Sequence, residues 1–294
     1  MNSMHKITDI FQHKKRTYSL ELFPAKTEQG HQKLLTTIEE LCRLKPDFIS
    51  CTYGAGGGSR QRTFEIVQHI EQTHRVTGLA HLTCVLHTKT ELKNILEDIK
   101  SRGIRNILAL RGDTPGDHPD WQPTEENFKY SSELCAFIRA NFNGYFGIGV
   151  AGFPEGHVLC PDRELDAQYL KTKIDNGGDF VITQLFFDNK DYFEYVTRLR
   201  NIGVTARIIP GILPITNYQN LKKFCGLCGA GIPDKVKKIF EPIENDLDAT
   251  AHAGIQFAIQ QCRELLEGGA PGLHFYCLNK LSPTDEILST IRNT

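Results

Sequence analysis

The sequence predicts an α/β protein built as a single (β/α)8 TIM barrel with extra helices before the last strand. Three observations carry that expectation. Apolar, strand-like runs alternate with amphipathic helical patterns from end to end. Eight such runs fit into 294 residues, a chain length typical of a barrel. Most of the runs are nearly continuous in Val, Ile, Leu, Phe and Cys, as expected of parallel strands covered on both faces.

In chain order the runs are "YSLELFP" (18–24), "FISCTY" (48–53), "TGLAHLTC" (77–84), "NILALRGD" (106–113), "YFGIGVAGFP" (145–154), "FVITQLFFD" (180–188), "ARIIPGILP" (206–214) and "GLHFYCLN" (272–279). The first four begin 29 or 30 residues apart, room for a strand, a helix and two short connections. Leu34, Leu35, Ile38, Leu41 and Cys42 share one helical face. Phe64, Val67 and Ile70 share another, as do Leu92, Ile95, Leu96 and Ile99, and later Phe193, Val196 and Leu199. "TKTE" (88–91) has the form of a capping box, and Gly103 closes the same helix. The gap before the eighth run is the longest and holds the extra helices, including a long one near 244–267.

A doubly wound open sheet is the main alternative. Its phosphate loop should follow the first strand, whereas "TYGAGGGS" (52–59) follows the second run and has Ser59 where a third glycine belongs. No linker, internal repeat or low-complexity tract interrupts the chain, so one catalytic domain over 1–294 is expected.

Hydrophobic residues at 40% and charged residues at 23% describe an ordinary globular composition. A net charge of -1 with no Lys/Arg block argues against nucleic acid or an anionic membrane surface as partner. The start, "MNSMHKITDIFQHKK", lacks the apolar core of a signal peptide, and no apolar run approaches the roughly 18 residues of a membrane helix. A cytoplasmic location is expected. The nine scattered cysteines read as reduced thiols, and Cys225 and Cys228 of "CGLC" have no second pair to complete a zinc set.

Chemistry in a barrel collects at the C-terminal ends of the strands. Polar residues stand there in nearly every run: Glu21, Thr52 and Tyr53, His81, Arg111 and Asp113, Glu155 and His157, Gln184, and finally Asn279 and Lys280. Together they predict a polar, partly buried pocket at one mouth. Plain structural roles remain open for each. Glu21 could pair with a Lys or Arg, His81 could bond a backbone carbonyl, and Arg111 and Asp113 could form a loop ion pair. A divalent metal among His81, Asp113, Glu155 and His157 is disfavoured by Arg111 beside them and by the lack of an H-x-H or H-E-x-x-H pair. No G-x-S-x-G elbow offers a serine nucleophile.

Eight stretches in order, "SLELFPAKT", "SCTYGAGGGSRQRT", "AHLTC", "LALRGD", "AGFPEGH", "LKTKIDNGGDFVITQLFFD", "IIPGILPI" and "HFYCLN", resemble the methylenetetrahydrofolate reductase family, flavin enzymes that make methyltetrahydrofolate. They span roughly residues 18 to 280. The resemblance is to the short bacterial form, which implies no C-terminal regulatory domain and no feedback by S-adenosylmethionine. It implies a barrel holding FAD at the strand C-termini. The FAD contacts then fall on Thr52, Tyr53, Ala55, His81, Arg111, Gly112, Asp113, Tyr130, His157, Asp166 and Lys173. Arg111 and Lys173 would meet the diphosphate, and Asp166 would accept from a sugar hydroxyl.

The reaction implied has two halves on one flavin face. NADH or NADPH gives hydride to FAD, and 5,10-methylenetetrahydrofolate then receives it, supplying methyl groups for methionine synthesis. By the same resemblance Glu21 protonates the folate bridge nitrogen, and Asp113 holds the pterin edge and offers charge to the cation. Gln184 contacts both folate and nicotinamide, Phe224 stacks on either, and Asn220 and Lys280 complete the substrate site. The chain departs from the family at Phe153 (commonly tyrosine), Tyr169 (a polar residue), Asn220 (glutamine in some members) and Lys280 (arginine). These departures bear on affinity rather than reaction type. The family also implies a homo-oligomer.

Burial is expected to raise the pKa of Glu21 and keep it protonated near neutral pH. Two other readings stay open: a pterin-binding barrel methyltransferase without flavin, and a non-catalytic binder of FAD or folate. A partner protein could also replace the nicotinamide as electron donor.

Overall fold

Eight parallel strands close on themselves in strict chain order. They are β1 (Thr17–Leu22), β2 (Phe48–Cys51), β3 (Thr77–Thr83), β4 (Asn106–Leu110), β5 (Gly147–Gly152), β6 (Phe180–Leu185), β7 (Arg207–Ile212) and β8 (Gly272–Tyr276). β1 pairs with β2 on one side and β8 on the other, which seals the barrel. The computed structural model describes residues 5–53, 57–114, 116 and 118–292, leaving aside the side chains of 57–59. The expected barrel is the observed one.

The helices follow the strands as the periodicity predicts. A short α1 (Ile7–His13) precedes β1; α2 (Glu28–Arg43), α3 (Gly57–His74), α4 (Lys89–Ser101), α5 (Ser131–Phe142), α6 (Arg163–Asp175) and α7 (Asn189–Asn201) each follow a strand. Between β7 and β8 lie α8 (Tyr218–Cys228), α9 (Asp234–Phe240), a 3-10 turn and the long α10 (Leu247–Glu267); α11 (Thr284–Arg292) ends the described chain. The capping box forms at α4: Thr88 Oγ1 accepts from Glu91 N at 3.2 Å, and Glu91 Oε2 accepts from Thr88 N at 2.7 Å. Gly103, one residue beyond the C-cap Arg102, takes the positive φ of 84° that stops the helix. The fourth run was expected to 113, but β4 ends at Leu110 and the chain turns at Gly112.

Strand alternation sorts the core into two layers. Outward side chains such as Leu20, Leu22, Ile49, Val150 and Leu273 pack under the helices. Inward side chains Phe48, Leu79, Leu108, Phe180, Ile182 and Ile209 meet near the floor of the barrel, where Ile7 and Phe11 of α1 join them. That plug was not anticipated from the sequence. Asn106 ties it down: its Oδ1 accepts from Ile7 N at 2.8 Å and its Nδ2 donates to the Gly78 carbonyl at 3.0 Å. Arg207 donates to the Phe11 carbonyl at 2.6 Å and stacks over the Phe11 ring. Among the described residues no helix is long and apolar enough to cross a membrane, and all nine cysteines are free thiols.

The β6–β7 ladder carries one irregularity. Ile182 faces Ile209, but Leu185 faces Gly211, so β6 holds one residue more than β7 across this step.

Candidate active site

One step above the apolar floor, the inward rows turn polar. Leu20 and Leu22 point outward, so alternation turns Ser19 and Glu21 into the lumen. The same logic places Ser50 above Phe48 on β2, His81 above Leu79 on β3, and Gln184 above Ile182 on β6. On β8, Leu273 and Phe275 point outward, leaving His274 and Tyr276 inside.

Glu21 is the centre of this layer. Its side chain is 16% exposed. Oε2 accepts from Ser50 Oγ and from His274 Nε2, each at 3.3 Å. His81 Nε2 stands 3.3 Å from the same oxygen but is not aligned for a hydrogen bond. His274 Nδ1 lies 2.8 Å from Ser19 Oγ, which also reaches the Leu273 carbonyl at 3.3 Å. The partners of Glu21 are therefore histidines, not the Lys or Arg considered from the sequence.

The expected pKa of Glu21 is overturned. Burial does push its carboxyl upward, but the charges of His81 and His274 and the hydrogen bond from His274 outweigh burial. The net effect holds Glu21 well below the usual carboxylate range. Glu21 is therefore an ionised group at neutral pH.

A second group of expected residues gathers at the ends of β4 and β5 and on α6. Gly112 has φ +84°, and a Cβ there would lie 2.7 Å from Val85 Cγ1 and 2.8 Å from Thr83 Cβ, so only glycine makes this turn. Lys173 Nζ donates to the Ala151 carbonyl at 3.0 Å and sits over the Phe153 ring. Burial lowers the Lys173 pKa, against the pull of Asp166. Asp166 is buried and shifted upward by that burial, with Lys173 opposing. His157 is shifted down, first by burial and then by the Lys173 and Arg111 cations, while Asp113 opposes. Arg111, Asp113, His157, Asp166 and Lys173 thus share one electrostatic neighbourhood.

The remaining expectations divide. Tyr53 Oη lies 3.0 Å from His87 Nε2, and burial pushes its pKa up to about 12. Thr52 N donates to the Leu22 carbonyl at 2.8 Å, which fixes the mouth end of β2 against β1. Phe224 joins Leu185 and Tyr276 in the apolar cluster under α8 and α9. Gln184 lines a pocket with Phe153, Glu155 and Cys228. Asn220 and Lys280 are exposed. Tyr130 is the N-cap residue of α5, is 53% exposed and stands under Lys129. Tyr169 is likewise exposed. Ala55 lies outside the described residues.

The metal set considered from the sequence does not converge. His81 faces Glu21, Glu155 Oε2 accepts from Gly231 N at 2.9 Å, and His157 Nδ1 accepts from Leu159 N at 3.1 Å. Among the described residues no group of three His, Cys, Asp or Glu side chains could hold a metal ion. Sequence reasoning missed Ser19, Ser50, His274 and Tyr276. The signal was available for His274, which interrupts the apolar run "GLHFYCLN" as Glu21 interrupts "YSLELFP".

Comparison with known proteins gives the site a context. The family model described as methylenetetrahydrofolate reductase matches residues 6–292. Methylenetetrahydrofolate reductase (NADH) 1 of Arabidopsis thaliana is 36% identical, covering 95% of this chain and 49% of its own length. The 5,10-methylenetetrahydrofolate reductase of Salmonella typhimurium is 35% identical, covering 93% of this chain and 90% of its own. The chain thus spans about half the length of the plant relative and nearly all of the bacterial one. Among solved structures, a Clostridium thermocellum protein that binds two copies of 5-methyl-5,6,7,8-tetrahydrofolic acid superposes with a TM-score of 0.65 over 97% of both chains. At 13% identity that likeness speaks for the barrel alone.

Proposed function

Since this chain belongs to the methylenetetrahydrofolate reductase family, we propose that it reduces 5,10-methylenetetrahydrofolate to 5-methyltetrahydrofolate with NADH or NADPH as donor and FAD as carrier. The observation that carries this reading is the Glu21 carboxylate, held by Ser50, His81 and His274 in the polar layer of the lumen. A folate must open its five-membered ring to an iminium cation before it can take hydride, and that opening needs a proton delivered to the bridge nitrogen.

The residues of the second group fit FAD. Arg111 and Lys173 supply the positive charge a diphosphate requires, Asp166 is a buried carboxylate able to accept from a sugar hydroxyl, and Gly112 brings backbone to the mouth without a side chain. Bound there, FAD would supply the two-electron carrier between nicotinamide and folate.

The protein's part is proton placement and orientation. Glu21 is ionised in the resting site, so it must take up a proton before it can give one to the bridge nitrogen. His274 and His81 each stand 3.3 Å from Glu21 Oε2, within reach to pass a proton to the carboxylate as substrate draws one from it. Asp113, exposed at the mouth, places negative charge where the folate cation develops. Gln184 offers its amide to each ligand in turn, with Phe224 on the apolar side.

The test is anaerobic stopped-flow spectroscopy of the FAD-reconstituted protein. NADH or NADPH should bleach the flavin absorbance, and methylenetetrahydrofolate should restore it. A protein that takes up no FAD, or whose flavin neither nicotinamide reduces, overturns the reading.

A further inference from the structure

The irregular step between β6 and β7 leaves the peptide around Gln184 without its ordinary ladder. β7 offers Pro210 at this point, which has no N–H. The next donor, Gly211 N, is taken by the Thr183 hydroxyl at 2.9 Å rather than by a carbonyl. That hydroxyl in turn donates to the Gln184 carbonyl at 2.9 Å. The Thr183 carbonyl is satisfied from further away: Tyr276 Oη, on β8, reaches across β7 and donates to it at 2.6 Å.

Gly211 is what lets the tyrosine pass. A Cβ on Gly211 would lie 2.3 Å from the Thr183 oxygen and 2.7 Å from both Cε2 and Oη of Tyr276. The ring itself is held edge-on against His274, with centroids 5.4 Å apart and planes at 90°. The Tyr276 hydroxyl therefore has a fixed direction, and the carbonyl it holds belongs to the residue immediately before Gln184. The Gln184 side chain completes the arrangement, its Oε1 accepting from Leu185 N at 2.9 Å.

We propose that Tyr276 is a positioning residue, which fixes the Thr183–Gln184 peptide so that the Gln184 amide faces the ligand pocket. This rests on the reading above, in which Gln184 meets both nicotinamide and folate. Tyr276 touches neither ligand in this scheme. It acts through a backbone carbonyl that the strand ladder cannot satisfy, and a buried carbonyl left without its donor is costly enough to reorganise the peptide.

Tyr276→Phe keeps the ring and removes the donor. We compare it with the wild-type protein, Gln184→Ala and the double variant, measuring kcat and KM for each half-reaction on FAD-loaded protein. Tyr276→Phe should raise KM for both nicotinamide and methylenetetrahydrofolate by about tenfold, a cost in the range of a lost buried hydrogen bond, with kcat changed less than twofold. Placed on Gln184→Ala, it should add less than about twofold, because the side chain it orients is gone. Unchanged KM values in Tyr276→Phe, or a full additional tenfold loss in the double variant, would overturn the proposal. A wild-type protein that carries out neither half-reaction would overturn the functional reading instead.

Discussion

Two glutamates lie largely out of water in this protein, one inside the barrel and one beneath a helix, and the structure drives them in opposite directions. Glu21, on β1, has a serine and two imidazoles around one carboxylate oxygen and is held well below the usual carboxylate range. Glu71, on α3 where the helix packs on β3, is 2% exposed. Its Oε1 accepts from Gly78 N at 3.1 Å, while Oε2 has no hydrogen-bond partner. Burial raises its pKa to about 7, with only the Gly78 bond opposing. Tyr145, which lies under the Arg105 guanidinium, feels Glu71 as a further negative charge. Burial acts on both carboxyls alike. The imidazoles, present at one and absent at the other, decide the sign.

The comparison can be broken first at Glu21. Glu21→Gln keeps the shape and removes the titrating group. Folate reduction by the reduced flavin should fall by about 10²–10⁴-fold, the range of a lost general acid. Flavin reduction by nicotinamide should change no more than a few-fold. Survival of both half-reactions in stopped-flow would reduce Glu21 to a structural residue.

Next comes the pH dependence of stability at Glu71. Its folded pKa, about 7, lies above the ordinary 4.5, so the folded state holds a proton that the unfolded chain has lost. Its contribution to stability is complete below pH 4.5 and disappears as pH rises through 7. The gap is worth about 3 kcal/mol. Glu71→Gln should flatten that part of the urea-unfolding profile between pH 4.5 and 8 and leave both half-reactions intact. An unchanged pH slope in Glu71→Gln would show that some other group carries it.

The smallest expected effect is at Gly78. A Cβ there would lie 2.5 Å from Val67 Cγ1 and 3.2 Å from Glu71 Cγ. Gly78→Ala should therefore destabilise by about 1–3 kcal/mol, the usual cost of overpacking. By loosening the single bond that opposes burial, it should also move the Glu71 transition to higher pH. A urea midpoint equal to wild type would mean that the α3–β3 contact gives way freely.

The fold was legible because it repeats. Alternating periods, strand starts 29 or 30 residues apart and one cap signature at Thr88 suffice to lay out a barrel. The site was legible where a charge interrupts an apolar run, as Glu21 and His81 do. It was illegible where the neighbour is distant in sequence. Nothing in "YSLELFP" reveals that His274, 253 residues away, will sit on the carboxylate and reverse the effect of burial. Glu71 went unnoticed because "FEIVQHIEQTH" reads as a helix with a wet face, and only packing against Gly78 shows that this position is dry. The α1 plug is too short to announce itself by period.

That plug has a kinetic consequence. With Ile7 and Phe11 stoppering the apolar floor, the lumen is a vessel with one door. Whatever reaches the polar layer at Glu21 must arrive and depart by the mouth. A spent nicotinamide and an incoming folate would then be in each other's way, and the second could enter only as the first left. Each ligand should therefore compete with the other at high concentration in initial-rate measurements, an effect of a lumen closed at its floor by Ile7 and Phe11.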